Sequence, residues 1–461
     1  MPQAASAVDC RNPLSAYESA GPPGSGAAND PLFGKQWGLD QINAPQAWAR
    51  GARGARVTIA MLDTGVDFTH PDLKAKLLPG KELALSTADG LTGPGCPGPQ
   101  DENGHGTHTA GIAAAVTNNG IGVAGTAPAA KILPVRVLDA NGSGEDKAVN
   151  DGIRWAADHG AKVINLSLGG DPLLGNLPGA SDGNEGAVRY ALSKGAVVIA
   201  SAGNESAPLC DYPAAAANAI CVAATDRNEN PPFYSNFPAD PDGTVAVRAP
   251  GGDGLPICDN PGDIWSTMWP DAPDACGATS GYETFAGTSM AAPFVSGVAA
   301  LLAGKGLSAP QILQCLKTKS SNDGGYDPIY GYGIVDAGKA VAACTPRGTP
   351  AFPPGGNAGK RHVKVTVSYP SRKKLAENGR IAVSIRTDTS VTVRLGAAVV
   401  RSGGKATKGA AKKVRLKQAG TRRTTLKLSE KARNALASHK NAKLRVRYSG
   451  GGESGVAKRK R

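Results

Sequence analysis

The sequence predicts an α/β fold, a parallel sheet with helices on both faces, followed by a small all-β sandwich-like C-terminal domain. Three observations carry this. Over about residues 29–345, short apolar runs alternate with segments of helical period, the pattern of strands joined by crossover helices. Over residues 363–450 the period changes to two, as in antiparallel strands with one buried face. The charge splits between the same regions: residues 346–461 hold 30 basic and 4 acidic residues, a net of +26, while residues 1–345 carry −13.

Taken in order, residues 1–28 are rich in Gly, Pro, Ala and Ser and read as a flexible lead-in. They show no charged segment followed by an apolar one, so a processed form or an upstream start is expected. Strands are expected at 57–63 (VTIAMLD), 131–139, 162–168 (KVINLSL), 196–201 and 219–225. Helices are expected at 106–116, 147–157, 186–194 and 288–303, the last with Pro293 in its early part. Residues 346–362 read as a Pro/Gly linker and residues 451–461 as a basic disordered tail. No run of 18 apolar residues occurs, so no membrane span is expected.

Four segments sit where strands end or helices begin, the places where such sheets bind ligands. Asp63-Thr64-Gly65 closes a buried strand, and His105 opens the run HGTHTAG. Ser289 lies in the run GTSMAAP at the start of an apolar helix, and Asn204 follows the strand at 196–201. A serine nucleophile needs a base within reach, and the base needs a carboxylate to fix its tautomer. A helix N-terminus leaves N–H groups for a developing oxyanion, and an amide near it adds a second donor. His108, one turn beyond His105, reads as structural; His70 and His159 read as ordinary loop and helix-surface residues. An Asp-Thr-Gly alone also marks aspartic proteases, but the ordered set is far more specific.

On these residues the chain resembles the subtilisin-like serine proteases, over about residues 29–345. The run Asn29-Asp30-Pro31 and the run VTNNGIGV at 116–123 resemble the thermitase branch most. The resemblance implies a subtilisin-like fold and a secreted serine endopeptidase acting on polypeptides. It implies that Asp63 orients the imidazole, His105 is the base, Ser289 the nucleophile and Asn204 the side-chain oxyanion donor. It implies that Ser167, Leu168 and Gly169 form one edge for an extended peptide and Gly142, Ser143 and Gly144 the opposing edge. It also implies a structural calcium held by Asp30, Asp72 and Asn119 with the carbonyls of Val116, Ile121 and Val123. The alternative there is an unmetallated Asn-Asn-Gly turn. Asp211 falls near the family's specificity pocket, where an acidic floor would favour Lys or Arg; the plainer reading is a solvated Asp beside Cys210. The related sedolisins replace the base histidine, so His105 sets that branch aside.

All eight cysteines precede residue 345 and none forms a CxxC pair, which disfavours zinc and indicates a disulfide framework in an oxidising, extracellular setting. Nearest-neighbour pairing gives Cys10–Cys96, Cys210–Cys221, Cys258–Cys276 and Cys315–Cys344. The basic module resembles C-terminal repeats of secreted actinobacterial proteins. It is expected either to hold an anionic cell-wall or polysaccharide surface or to be a solubilising appendage. Nucleic acid is not expected as a partner, because base-stacking aromatics are scarce there. Two rival readings are a peptide-binding pseudoprotease, which should lack one of the four site residues, and a surface-binding protein whose main work is in its tail.

Overall fold

In the computed structural model the chain divides into two compact units, Met1–Pro354 and Gly355–Arg461. The structure describes residues 28–84, 99–170, 183–237, 245–255, 257, 259–268 and 281–347 of the first. In the second it describes 364–368, 372–387, 391–400, 406–416, 420–438, 443–450, 453–456 and 458–459.

The first unit is built on a seven-stranded sheet of β1 (Thr58–Asp63), β2 (Lys81–Glu82), β3 (Lys131–Arg136), β4 (Val163–Leu166), β5 (Val197–Ser201), β6 (Ile220–Thr225) and β7 (Val245–Pro250). The order is β2-β3-β1-β4-β5-β6-β7 and every pairing is parallel. Early helices α1 (Trp37–Gln41) and α2 (Ala44–Ala49) precede it. The crossovers are α3 (His105–Ala114), α4 (Asp146–Asp158) and α5 (Gly183–Ser193), and a hairpin of β8 (Ile264–Thr267) and β9 (Tyr282–Phe285) leads into α6 (Thr288–Gly304). Two further helices, α7 (Ala309–Lys319) and α8 (Ala337–Ala343), complete the unit.

Strand alternation explains the two helical layers. Ile59 and Met61 of β1 point into a core shared with Ile112 of α3 and Val295 of α6. Their neighbours Ala60 and Leu62 point the other way, onto Val149 and Ile153 of α4 and Val188 of α5. Helix α6 is buried on nearly every side, which is why its sequence is apolar all round. Strand β1 has β3 and β2 on one side and β4 to β7 on the other, so the crevice at its carboxyl end is the topological switch point.

Two of the expected disulfides form: Cys210–Cys221 and Cys315–Cys344, the latter joining α7 to the end of α8. The cysteines of the pairs Cys10–Cys96 and Cys258–Cys276 lie outside the described residues.

The second unit has two four-stranded sheets. Strands β10 (Lys364–Ser368), β11 (Arg380–Thr387), β12 (Val391–Val400), β13 (Ala406–Leu416), β14 (Gly420–Lys427), β15 (Lys443–Gly450), β16 (Glu453–Val456) and β17 (Lys458–Arg459) form the orders β14-β11-β10-β17 and β13-β12-β15-β16. It is not all-β: α9 (Arg372–Asn378) and α10 (Glu430–Ser438) put Leu375, Ala432 and Leu436 into the same core as Val383, Leu395 and Val446. Nor is 451–461 wholly irregular, since β16 pairs with β15 and β17 with β10.

Candidate active site

Asp63 ends β1 with its side chain fully buried. Its Oδ1 accepts the His105 Nδ1–H at 2.7 Å and the Thr64 N–H at 2.8 Å, and its Oδ2 accepts the Thr109 hydroxyl at 3.2 Å. These donors fix the carboxylate, and the carboxylate fixes the imidazole tautomer. His105 can sit this close because Gly106 follows it: a methyl carbon there would lie 2.1 Å from the Gly65 carbonyl oxygen. Burial pushes the His105 pKa down, but the Asp63 charge, its hydrogen bond and the Asp101 charge push it up, and the net is a rise. Asp101, fully buried, organises the turn into α3 by accepting from Thr64 Oγ1, Asn103 N, Gly104 N and both donors of Thr107.

Ser289 stands in the first turn of α6, where the helix supplies no partner for its N–H. Its hydroxyl donates to the Ser167 carbonyl at 3.1 Å and not to His105, while the Ser167 hydroxyl donates back to the Ser289 carbonyl at 2.7 Å. In ligand-free enzymes catalytic hydrogen bonds are often long or unformed and tighten only with substrate bound. Behind this pair a buried chain runs from the Ser296 hydroxyl to Asn165 Oδ1 at 2.7 Å, and from Asn165 Nδ2 to the Ser167 hydroxyl at 3.0 Å. Asn204 presents its carbonyl oxygen to the Thr288 N–H and hydroxyl, each at 3.0 Å. Its NH2 is thereby turned away from Thr288 and left to donate elsewhere.

His105, Ser167, Leu168 and Gly169 line one cleft of about 530 Å3 together with Gly142, Ser143 and Gly144. The two expected peptide edges therefore face one cavity. The 142–144 edge is pinned by Asp139, whose Oδ1 accepts the N–H groups of Asn141 and Ser143. The cleft can take an extended backbone with His105 at its wall; Ser289 and Asn204 are not among the residues that line it, and Ser289 adjoins it through Ser167.

A profile described as the subtilase family matches residues 54–333. The chain belongs to the subtilase family. It is 45% identical over 314 residues to thermitase of Thermoactinomyces vulgaris, covering 68% of this chain and 98% of that protein. It is 40% identical over 307 residues to subtilisin Savinase of Lederbergia lenta, covering 66% of this chain and 98% of that one. A solved protease structure from Pseudoalteromonas arctica PAMC 21717 aligns with a TM-score of 0.60 at 35% identity, over 69% of this chain and 99% of that one. The chain is thus a subtilisin-like serine endopeptidase. No helix among the described residues is long and apolar enough to cross a membrane.

In this subtilase three of the expected calcium ligands, Asp30, Asp72 and Asn119, meet at the loop at 116–123, where Val116, Ile121 and Val123 turn N–H groups rather than carbonyls toward them. Asp30 accepts the N–H groups of Asn118 and Asn119 at 3.0 and 3.1 Å. Asp72 accepts the Val123 N–H at 3.0 Å, the Tyr282 hydroxyl at 3.0 Å and the Asn119 NH2 at 2.6 Å, and its carbonyl accepts the Val116 N–H. The Ile121 N–H donates to Asn119 Oδ1 at 3.1 Å. Burial pushes the Asp72 carboxyl up to about 6, with the Asp30 charge adding to the rise. Two buried carboxylates and an amide are hard oxygen donors, and their charge fits a divalent cation. The amide of Asn119 would have to turn over to offer its oxygen.

Several residues depart from expectation. His70 is not an ordinary loop residue: it is buried, its ring bonded to the Gly281 carbonyl at 2.8 Å and to the Asp72 N–H at 3.1 Å. His108 is structural as expected, stacked on Phe285, with burial lowering its pKa to about 3. His159 lies on the surface against Trp155. Asp211 is not solvated; it is 7% exposed. Sequence reasoning passed over Thr288, Asp101, Asn165 and Ser296. Of these only Thr288 carried a local signal, by standing beside Ser289 at a helix start.

Proposed function

We propose that Ser289 is the nucleophile of this subtilase, His105 its base, Asp63 the group that orients the base, and Asn204 with the Ser289 N–H the oxyanion donors. The observation that carries this is the 2.7 Å Asp63–His105 bond at the mouth of a cleft whose edge residue, Ser167, holds Ser289 through two hydrogen bonds. His105 Nε2 takes the hydroxyl proton as Ser289 Oγ attacks the scissile carbonyl carbon. The carbonyl oxygen becomes an oxyanion that accepts from Asn204 Nδ2 and the Ser289 N–H. The imidazolium, steadied by Asp63, returns the proton to the leaving amine, and water later cleaves the acyl-enzyme by the same route. The test is labelling with a serine-directed fluorophosphonate followed by peptide mass spectrometry. Modification of Ser289 with loss of activity supports the assignment; full inactivation with Ser289 unmodified overturns it.

Three finer readings accompany this one. Calcium would be held by Asp30, Asp72 and Asn119 with the carbonyls of Val116, Ile121 and Val123, supplying charge that pins the loop and no chemistry at Ser289. The disulfides and the subtilase family support a secreted enzyme. The basic unit holds the enzyme on an anionic surface, as the net of +26 over residues 346–461 against −13 over 1–345 favours. Full-length Ser289→Ala protein retained on cell walls or heparin at low salt and released at high salt supports the last reading. Absence of retention at low salt contradicts it, and retention on DNA alone would favour nucleic acid.

A further inference from the structure

The Ser289 carbonyl lacks the partner that an α-helix would normally give it. In a regular helix it would accept the N–H four residues on. Residue 293 is proline, which has no N–H and whose ring crowds that carbonyl. The Ser167 hydroxyl supplies a donor instead, at 2.7 Å. A carbonyl can only accept, so this bond fixes the sense of every bond behind it. The Ser167 oxygen accepts from Asn165 Nδ2 at 3.0 Å, which turns Asn165 Oδ1 toward Ser296, and the Ser296 hydroxyl donates to it at 2.7 Å. The relay lies in the interior: Asn165 and Ser296 are fully buried and Ser167 nearly so.

The far end of this relay is not needed to fill the core. Asn165 lies in β4 between Met61 of β1 and Ile199 of β5, both of them members of the apolar core under α6. Ser296 stands in α6 between the core residues Val295 and Val298. A buried amide or hydroxyl must recover its lost hydration through hydrogen bonds, and an apolar pair of the same shape can pack there at little or no loss. Ser296 also lies seven residues after Ser289, two turns on and so on the same face of the helix. The relay therefore starts and ends on one helix face and passes through the end of β4 in between. Its member Ser167 is also a wall of the cleft, and its carbonyl accepts the Ser289 hydroxyl at 3.1 Å. The attacking residue and the peptide edge are thus held in one frame.

We infer that Ser296 and Asn165 are positioning residues for the attack: through Ser167 they hold the Ser289 carbonyl, and with it the place of the Ser289 hydroxyl and N–H relative to the peptide edge. The inference rests on the reading of Ser289 as nucleophile. A displacement of about 1 Å at a reacting atom can cost on the order of 10²-fold in rate, so a relay that touches no substrate can still govern kcat. Without the Ser296 hydroxyl, the Asn165 amide is free to turn over and offer its oxygen to the Ser167 hydroxyl, which then leaves the Ser289 carbonyl.

The test uses the full chain with Ser296→Ala, Asn165→Leu and the two combined. The readouts are steady-state hydrolysis of a chromogenic peptide and the rate of fluorophosphonate labelling. Each single variant should lose about 3- to 10-fold in kcat and in labelling rate, with KM within about twofold of wild type. The parallel loss in labelling places the effect on Ser289 and not on peptide binding. The acid limb of the pH profile should stay where it is, because the charges around His105 are untouched. The double variant should be no slower than the slower single one, within about twofold, because both act along one relay. Less than a threefold fall in kcat in both single variants, a fall confined to KM, a loss that travels with a moved acid limb, or losses that multiply in the double variant overturns the inference. Should Asn165→Leu fail to fold, Ser296→Ala decides alone. Failure of the nucleophile reading would look different: the wild-type enzyme would carry its label on a residue other than Ser289.

Discussion

The hold that Thr288 has on Asn204 gives a two-step prediction. Under the proposed assignment Asn204→Leu removes one oxyanion donor while the Ser289 N–H remains, so kcat should fall about 10²–10³, a size taken from a relative of this chain. Thr288→Val keeps the shape but deletes a hydroxyl that donates to Asn204 Oδ1 at 3.0 Å and accepts the Gly203 N–H at 3.2 Å. The Thr288 N–H still holds Asn204. A neutral hydrogen bond is worth about 0.5–1.5 kcal/mol. An amide that loses one of its two anchors should therefore cost roughly 2- to 10-fold in kcat, with KM little changed. Because Thr288 acts through Asn204, the double variant should be no slower than Asn204→Leu, within about twofold. The assay is steady-state hydrolysis of a chromogenic peptide, with active sites counted by titration. Losses that multiply in the double variant, or a Thr288→Val enzyme changed only in KM, would refute the reasoning.

Other predictions follow from the same geometry. The His105 pKa is raised, so the acid limb of kcat/KM should lie above the ordinary 6.5 of histidine, and Asp101→Asn, which removes a raising charge, should move that limb to lower pH; an unmoved limb in an active variant contradicts this. Chelation should lower the melting temperature of Ser289→Ala protein, which cannot digest itself, by the linkage of a ligand bound only when folded; an unchanged melt with no metal by elemental analysis removes the calcium reading. Replacing Cys315 and Cys344 by Ser opens a loop of 29 residues and should cost about 3–4 kcal/mol in urea unfolding, with kcat retained below the transition.

Much of this protein is legible in its sequence because function and fold share the same punctuation. Asp63, His105, Ser289 and Asn204 each mark the end of a strand or the start of a helix, so their order already implies the crevice. The strand Val245–Pro250 escaped because Arg248 and Pro250 break an apolar run. The structure buries Arg248 by giving its guanidinium the Ile329 carbonyl at 3.0 and 2.7 Å and the Ala224 carbonyl as well. Helix α7 was readable in principle, since Ser308 and Gln311 form a capping box. The two helices of the basic unit were masked by a run of period-two segments around them. Asp211 was marked by its place before Tyr212-Pro213, but not its burial or its neighbours. Asp211, Glu205 and Asn236 come together through loops that leave β5 and β6, and no spacing in the chain announces their meeting. His70 likewise gains its buried role from Gly281, 211 residues away.

The central claim is that Ser289 performs the attack. Casein hydrolysis by Ser289→Ala, compared with wild type on correctly folded protein, tests it most directly. Loss of roughly 10⁶ in kcat is expected, by analogy with a relative. A variant that keeps activity within about tenfold of wild type would contradict the account.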